Sequence, residues 1–213
     1  MAAMLHLPEQ KVILKGVSWE TYERLLAEHE GESGTRFTYD GGTLESLVPS
    51  ARHEKPNCIL ALLVEVLAEE MALNIESLGS MTLKRPDLLK GFEPDSCFYV
   101  QHAEAIRDNE EIDLTVDPPP DLVIEIAITS PSLDKFPLYA AVGVPEVWRY
   151  DGTHVTMYRL AGERYVEVPH SVVLPLLTNE HATRFLEARK QAPSTVWLRA
   201  VRAWARDQHT ASD

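Results

Sequence analysis

The chain has 213 residues, 45% of them hydrophobic and 25% charged, which suits one compact domain, 1–213, with a substantial core. No apolar run approaches the roughly 18 residues that cross a membrane, and the opening MAAMLHLPEQ lacks a signal-peptide pattern, so a cytoplasmic protein with no membrane partner is expected. A net charge of −13 argues against a general nucleic-acid-coating protein, because phosphate binding draws on cations, but it allows an enzyme that holds one phosphate against a metal ion.

In chain order, Ser18 is a good N-cap for a helix with the apolar stripe Trp19, Tyr22, Leu25 and Leu26, and Gly31, Ser33 and Gly34 end it. RFTYDGGTLESLVP (36–49) reads as two short strands around the turn Asp40-Gly41-Gly42. Ser50 opens a long helix that tolerates Pro56 only near its start, buries Ile59, Leu62, Leu63, Val66 and Leu67, and stops at Asn74. Cys58 lies on this helix and Cys97 lies beyond it; with no close Cys or His pair, neither a disulfide framework nor a structural zinc is indicated. IESL, MTLK and CFYV are strand-like, and IDLTV (112–116) is expected as a short strand in a polar, acidic stretch closed by Pro118-Pro119-Pro120. DLVIEIAI (121–128), β-branched and apolar apart from its acids, should be a central strand.

SPSLDKFPLYAAVGV (130–144) reads as a capped helix ending at Gly143. EVWRY, HVTMYRL and RYVEV follow as a hairpin and meander around Asp151-Gly152, and the tail from about Glu180 is helical. This order predicts an α/β or α+β domain on a mixed sheet, with a core over about 18–178 and a C-terminal helical extension, 179–213.

Glu125 is the informative residue. It stands in the middle of Leu122-Val123-Ile124-Glu125-Ile126, and burying a lone carboxylate costs several kcal/mol unless something compensates it. Asp95 is a second odd acid, at the mouth of the strand around Cys97-Phe98-Tyr99. If the two strands pair, both acids can enter one pocket and share a hard cation such as Mg²⁺, which takes few carboxylates, several waters and a substrate phosphate. The plainer alternative is an ordinary salt bridge for Glu125 and a turn role for Asp95. Asp121, four residues before Glu125 and so about 13 Å from it on a strand, reads as a strand-start residue.

Pro94-Asp95, followed by Glu125 on a hydrophobic strand, resembles the PD-(D/E)XK nuclease signature. Longer strings are more specific: Tyr39-Asp40-Gly41-Gly42-Thr43-Leu44-Glu45, His53-Glu54, Glu93-Pro94-Asp95, Pro120-Asp121-Leu122-Val123-Ile124-Glu125, Asp134-Lys135 and Gly143-Val144-Pro145-Glu146-Val147-Trp148, in that order. Together they resemble the Uma-type family of bacterial restriction endonucleases over roughly residues 18–178.

The resemblance implies a restriction-endonuclease-like core, a mixed sheet flanked by helices. It further implies Mg²⁺ (or Mn²⁺) bound at Asp95 and Glu125, and hydrolysis of phosphodiester bonds in nucleic acid, DNA above all. The superfamily places a lysine two residues after the acid, but that position here is Ala127. In the resembled family the lysine comes from the following helix, which matches Lys135. Glu45 and His53 match further family positions and join the candidate site without an assigned role. Arg52, Lys55, Lys84, Arg85 and Lys90 could supply a local basic patch, although each alone is an ordinary surface charge. A nuclease fold that no longer cuts and serves as a nucleic-acid or protein-binding module is the alternative. A two-fold homodimer would suit paired cuts in duplex DNA.

Overall fold

Side-chain alternation along one central strand divides the interior. Leu122, Ile124 and Ile126 enter one apolar cluster, while Val123 enters a second on the opposite face, the face that Glu125 shares by its spacing. The computed structural model describes residues 10–29, 34–128 and 133–210. Its strands are β1 (Gln10–Lys15), β2 (Arg36–Asp40), β3 (Thr43–Val48), β4 (Glu76–Gly79), β5 (Leu83–Arg85), β6 (Lys90–Phe92), β7 (Ser96–Tyr99), β8 (Leu122–Ile126), β9 (Glu146–Tyr150), β10 (Val155–Ala161) and β11 (Arg164–Val168). The helices are α1 (Trp19–Glu28), α2 (Ala51–Glu70), α3 (Ala103–Ile106), α4 (Phe136–Val142), α5 (Asn179–Gln191) and α6 (Ser194–Thr210).

The expected mixed sheet is present, and the remaining strands, the early hairpin among them, form a second sheet beside it. An antiparallel sheet has the order β1-β3-β2-β6-β5, and a mixed sheet has the order β11-β10-β9-β8-β7-β4. Within the second, β8 and β9 run parallel, and parallel neighbours need a crossover, which α4 provides. Pro137 in the first turn of α4 and Gly143 at φ 86 after its last turn set its limits. Leu138, Tyr139 and Val142 of α4 pack on the Val123 face, while Leu60, Leu63 and Leu67 of α2, with α5 and α6, cover the Leu122 face. Each fully buried leucine contributes about 1.5–3 kcal/mol.

The antiparallel sheet has a small cluster of its own, in which Tyr22 of α1 stacks on Tyr39 with ring centroids 5.1 Å apart. Gly91 of β6 passes directly beneath: a Cβ there would lie 2.2 Å from the Tyr22 hydroxyl oxygen and 2.6 Å from ring carbons. Tyr22 is fully buried and cannot swing aside. Gly91→Ala should therefore cost about 1–3 kcal/mol, read as a lower denaturation midpoint with an unchanged m-value. A variant as stable as the parent would show that the ring yields freely.

Several local expectations need correction. Residues 112–116 form a turn, because side chains take the amides a ladder would use: Asp113 accepts from Thr115 N at 2.9 Å, and Asp117 accepts from Asp113 N at 2.8 Å. The long helix stops at Glu70, short of Asn74, with Ala72 in the left-handed region at φ 52. Pro56 lies in its second turn. The helix over 130–144 begins only at Phe136; Ser130, Pro131 and Ser132, like Gly31 and Ser33, lie outside the described residues. β1, β6 and α3 had no counterpart in the sequence reading. Among the described residues no helix is long and apolar enough to cross a membrane.

Candidate active site

Glu93-Pro94-Asp95 leads from β6 in one sheet to β7 in the other, so Asp95 stands at the seam between them. β7 and β8 are antiparallel, with Ser96 opposite Ile124 and Cys97 opposite Val123. One more step of that register sets Asp95 opposite Glu125, on the face that α4 covers. Lys135, immediately before α4, places Nζ 3.1 and 3.0 Å from the two Glu125 carboxylate oxygens. One turn later, Tyr139 donates its hydroxyl to Glu125 Oε1. Ala127, just after β8, continues the same face of the strand by alternation, and it is the segment ahead of α4, not the helix itself, that brings Lys135 to Glu125 on that face.

Three other elements close the site. His53, in the first turn of α2, sets Nε2 3.2 Å from Asp95 Oδ2, which also accepts the Ile126 amide at 2.7 Å. Arg36, first residue of β2, divides its guanidinium: Nη1 donates to Asp95 Oδ1, and Nη2 donates to Glu54 Oε1 at 2.8 Å. Glu45 of β3 accepts the Leu133 amide at 2.7 Å and adds its field to Lys135. The fold thus gathers Asp95, Glu125, Lys135, His53 and Glu45 together. It adds Arg36, Glu54 and Tyr139 to the candidate site, of which Glu54 had appeared only as part of the His53-Glu54 string. Tyr139 had a signal, standing one helical turn from Lys135; Arg36 had none, since it meets Asp95 across 59 positions.

Of the residues proposed for a basic patch, Lys84, Arg85 and Lys90 lie together on the paired strands β5 and β6, but each has an acid beside it. Lys84 pairs with Glu23 at 3.7 Å, Arg85 with Asp87 at 2.7 Å and Lys90 with Asp40 at 2.5 Å, while Arg52 and Lys55 are exposed on α2. Asp121 accepts from the amides of Val100 and His102 at 2.7 and 3.1 Å, fastening the loop after β7 to the start of β8.

The charges in the pocket oppose one another. Burial raises the Glu125 carboxyl above its usual range; the Lys135 ammonium holds it down and the facing Asp95 charge lifts it further. Burial also works against the charged form of Lys135, but attraction by Glu125 and Asp95 outweighs this and keeps it an ammonium. Asp95, although buried, stays below the usual carboxylate range because His53, Lys135 and Arg36 surround it. Glu146 is a useful contrast. It is fully buried, but Trp148 Nε1 and the amides of Val172 and Val173 satisfy its oxygens at 2.6–2.8 Å, which marks a structural acid.

His53 yields a pH prediction. Burial alone would lower its pKa, but its contacts with Asp95 and Glu54 raise it to about 9, so the imidazolium prevails at neutral pH. Its Nδ1 lies 3.4 Å from Glu54 Oε1 without the alignment of a hydrogen bond. A pKa raised from 6.5 gives stability that is fully present below pH 6.5 and is lost as pH rises through about 9. Unfolding free energy should fall across that window, by at most roughly 3 kcal/mol. His53→Gln should flatten the profile, and a parent curve already flat from pH 6.5 to 9 would contradict this charge state.

The donor set fits a hard divalent cation. Asp95 and Glu125 offer oxygen ligands from facing strand positions, and their mutual repulsion is the kind that a cation relieves. Among the described residues no group of three or more His, Cys, Asp or Glu side chains stands ready to hold a metal.

Two sheets seamed at Asp95, with α4 crossing over between parallel strands and α2 on the other face, make a nuclease-like α+β fold. A family model described as "Uma2: Putative restriction endonuclease" matches residues 19–189, and the chain belongs to that family. Among solved structures, a protein of Anabaena variabilis ATCC 29413 described as "a putative nuclease belonging to DUF820" is similar in fold, with a TM-score of 0.52 and 16% identity over 80% of this chain and 99% of that one. No curated protein matches the chain.

Proposed function

We propose that this protein is a Mg²⁺-dependent endonuclease that hydrolyses phosphodiester bonds of DNA, with Mn²⁺ able to substitute. The observation that carries the reading is the convergence of Asp95, Glu125 and the Lys135 ammonium at the paired ends of β7 and β8. Asp95 and Glu125 would hold the cation, which when bound polarises the phosphoryl oxygen and acidifies its water. Lys135 orients the attacking water and steadies the negative charge that grows on the phosphoryl oxygens. Tyr139 keeps the Glu125 carboxylate aimed at the pocket, and protonated His53 does the same for Asp95.

One observation favours a second reading, a nuclease fold that no longer cuts and instead binds nucleic acid or protein. Arg36, His53, Lys135 and Tyr139 already neutralise or bond both acids, a network that can stand without metal. The deciding experiment incubates the protein with supercoiled plasmid, linear duplex, single-stranded DNA and RNA, in Mg²⁺, Mn²⁺ or EDTA. Nicking or cutting of DNA that needs the cation supports the endonuclease. Tight retention of nucleic acid with no cut strand under any condition transfers support to the binding module.

A further inference from the structure

The acids claimed by the proposed reaction are guarded by a residue that belongs to neither acid's strand. Arg36 is 12% exposed in its side chain and lines a cavity of about 860 Å³ beside the site, together with Glu54, Lys84, Thr82 and Glu93. Asp95 Oδ2 is occupied by the Ile126 amide and His53, which leaves Oδ1 as the oxygen through which a cation would approach, and that oxygen receives Arg36. The other arm of the guanidinium is tethered to Glu54, which is 36% exposed at the cavity wall. A guanidinium and a divalent cation repel each other and compete for the same carboxylate.

We propose that Arg36 is an exchangeable counter-ion: it caps Asp95 in the metal-free protein and, when a divalent cation takes Asp95, turns on its Glu54 tether into the cavity to bind a phosphate of the nucleic-acid strand. The proposal rests on the endonuclease reading of the same site. Without cation, the arginine offsets the repulsion between buried carboxylates. With cation, it becomes a fork suited to a phosphodiester, whose oxygens accept two N–H groups side by side. Activation by cation and engagement of substrate are thereby coupled through one side chain.

The test measures Mn²⁺ affinity by calorimetry, and binding of a short DNA duplex in Ca²⁺, for the parent, Asp95→Asn, Arg36→Gln and Arg36→Lys. Removing a competing positive charge should tighten Mn²⁺ binding by Arg36→Gln by about tenfold or more, while its duplex binding weakens. An arginine that only braces Asp95 gives the opposite sign, because losing the brace loosens the ligand and weakens Mn²⁺. Unchanged or weaker Mn²⁺ binding by Arg36→Gln overturns the proposal. Should that variant fail to fold, Arg36→Lys decides: it keeps the charge but cannot span Asp95 and Glu54 together, so its Mn²⁺ affinity should rise by a smaller factor, and affinity at or below the parent's overturns the proposal. Failure of the endonuclease reading looks different, since Asp95→Asn would then bind Mn²⁺ as the parent does.

Discussion

Asp95→Asn is expected to produce the largest functional loss of any single substitution in this protein. If Asp95 holds the cation as proposed, cleavage should fall on the order of a thousandfold, because a metal ligand supplies several kcal/mol of transition-state stabilisation. The substitution also disturbs the fold. The asparagine oxygen can still accept the Ile126 amide, but its NH₂ group then faces donors, Arg36 or His53, and two cations lose their shared anion. Breaking a buried pair in this way costs about 3–5 kcal/mol. Circular dichroism must therefore confirm folding at the assay temperature before rates are compared. A folded Asp95→Asn protein that cuts DNA at the parent's rate would remove Asp95 from the reaction.

Glu125→Gln is the second large effect, and here the structure chooses between two outcomes. If Glu125 were only a metal ligand, neutralising it would relieve repulsion, and stability without metal would hold or rise. Instead Lys135 sits 3.0 Å away and only 8% exposed, so the amide deprives a buried ammonium of its nearest anion. A loss of about 3–5 kcal/mol without cation follows, moderated as Lys135 sheds its proton. Asp95 and Glu45 still lend it some field. Mg²⁺ should then raise the melting temperature of the parent much more than that of Glu125→Gln, because a ligand stabilises only the state that binds it. Adding Lys135→Met to Glu125→Gln should recover most of the stability, since apolar replacement of a buried ion pair is often near neutral, yet leave cleavage abolished. If the single variant melts with the parent and responds equally to Mg²⁺, Glu125 neither pairs with Lys135 nor holds metal.

Much of this was legible in the residues alone, and the reasons are local. An acid in the middle of Leu122–Ile126 contradicts the apolar pattern around it, and that contradiction pointed to Glu125. Turn chemistry at Asp40-Gly41-Gly42 and Asp151-Gly152 located two hairpins, and Gly143 located the end of α4, because a positive φ is written in residue type. Local chemistry also misled. The β-branched look of residues 112–116 lost to the Asp113 and Asp117 side chains, which took the backbone amides for a turn.

The sequence by itself determined which side chains were candidates: alternation marked Glu125, its place at a strand mouth marked Asp95, and the resemblance to the family added Lys135, Glu45 and His53. Only the tertiary structure decided how those charges are balanced. Whether the β strands form one sheet or two depends on pairings such as β2 with β6, which no local period encodes. That division into two sheets puts Asp95 at their seam and brings Arg36 onto it from the other sheet. A buried ion pair is a long-range contact between two residue types that each look ordinary on a surface. Its free energy depends on burial and on the neighbouring charges, and those quantities exist only once the chain has folded.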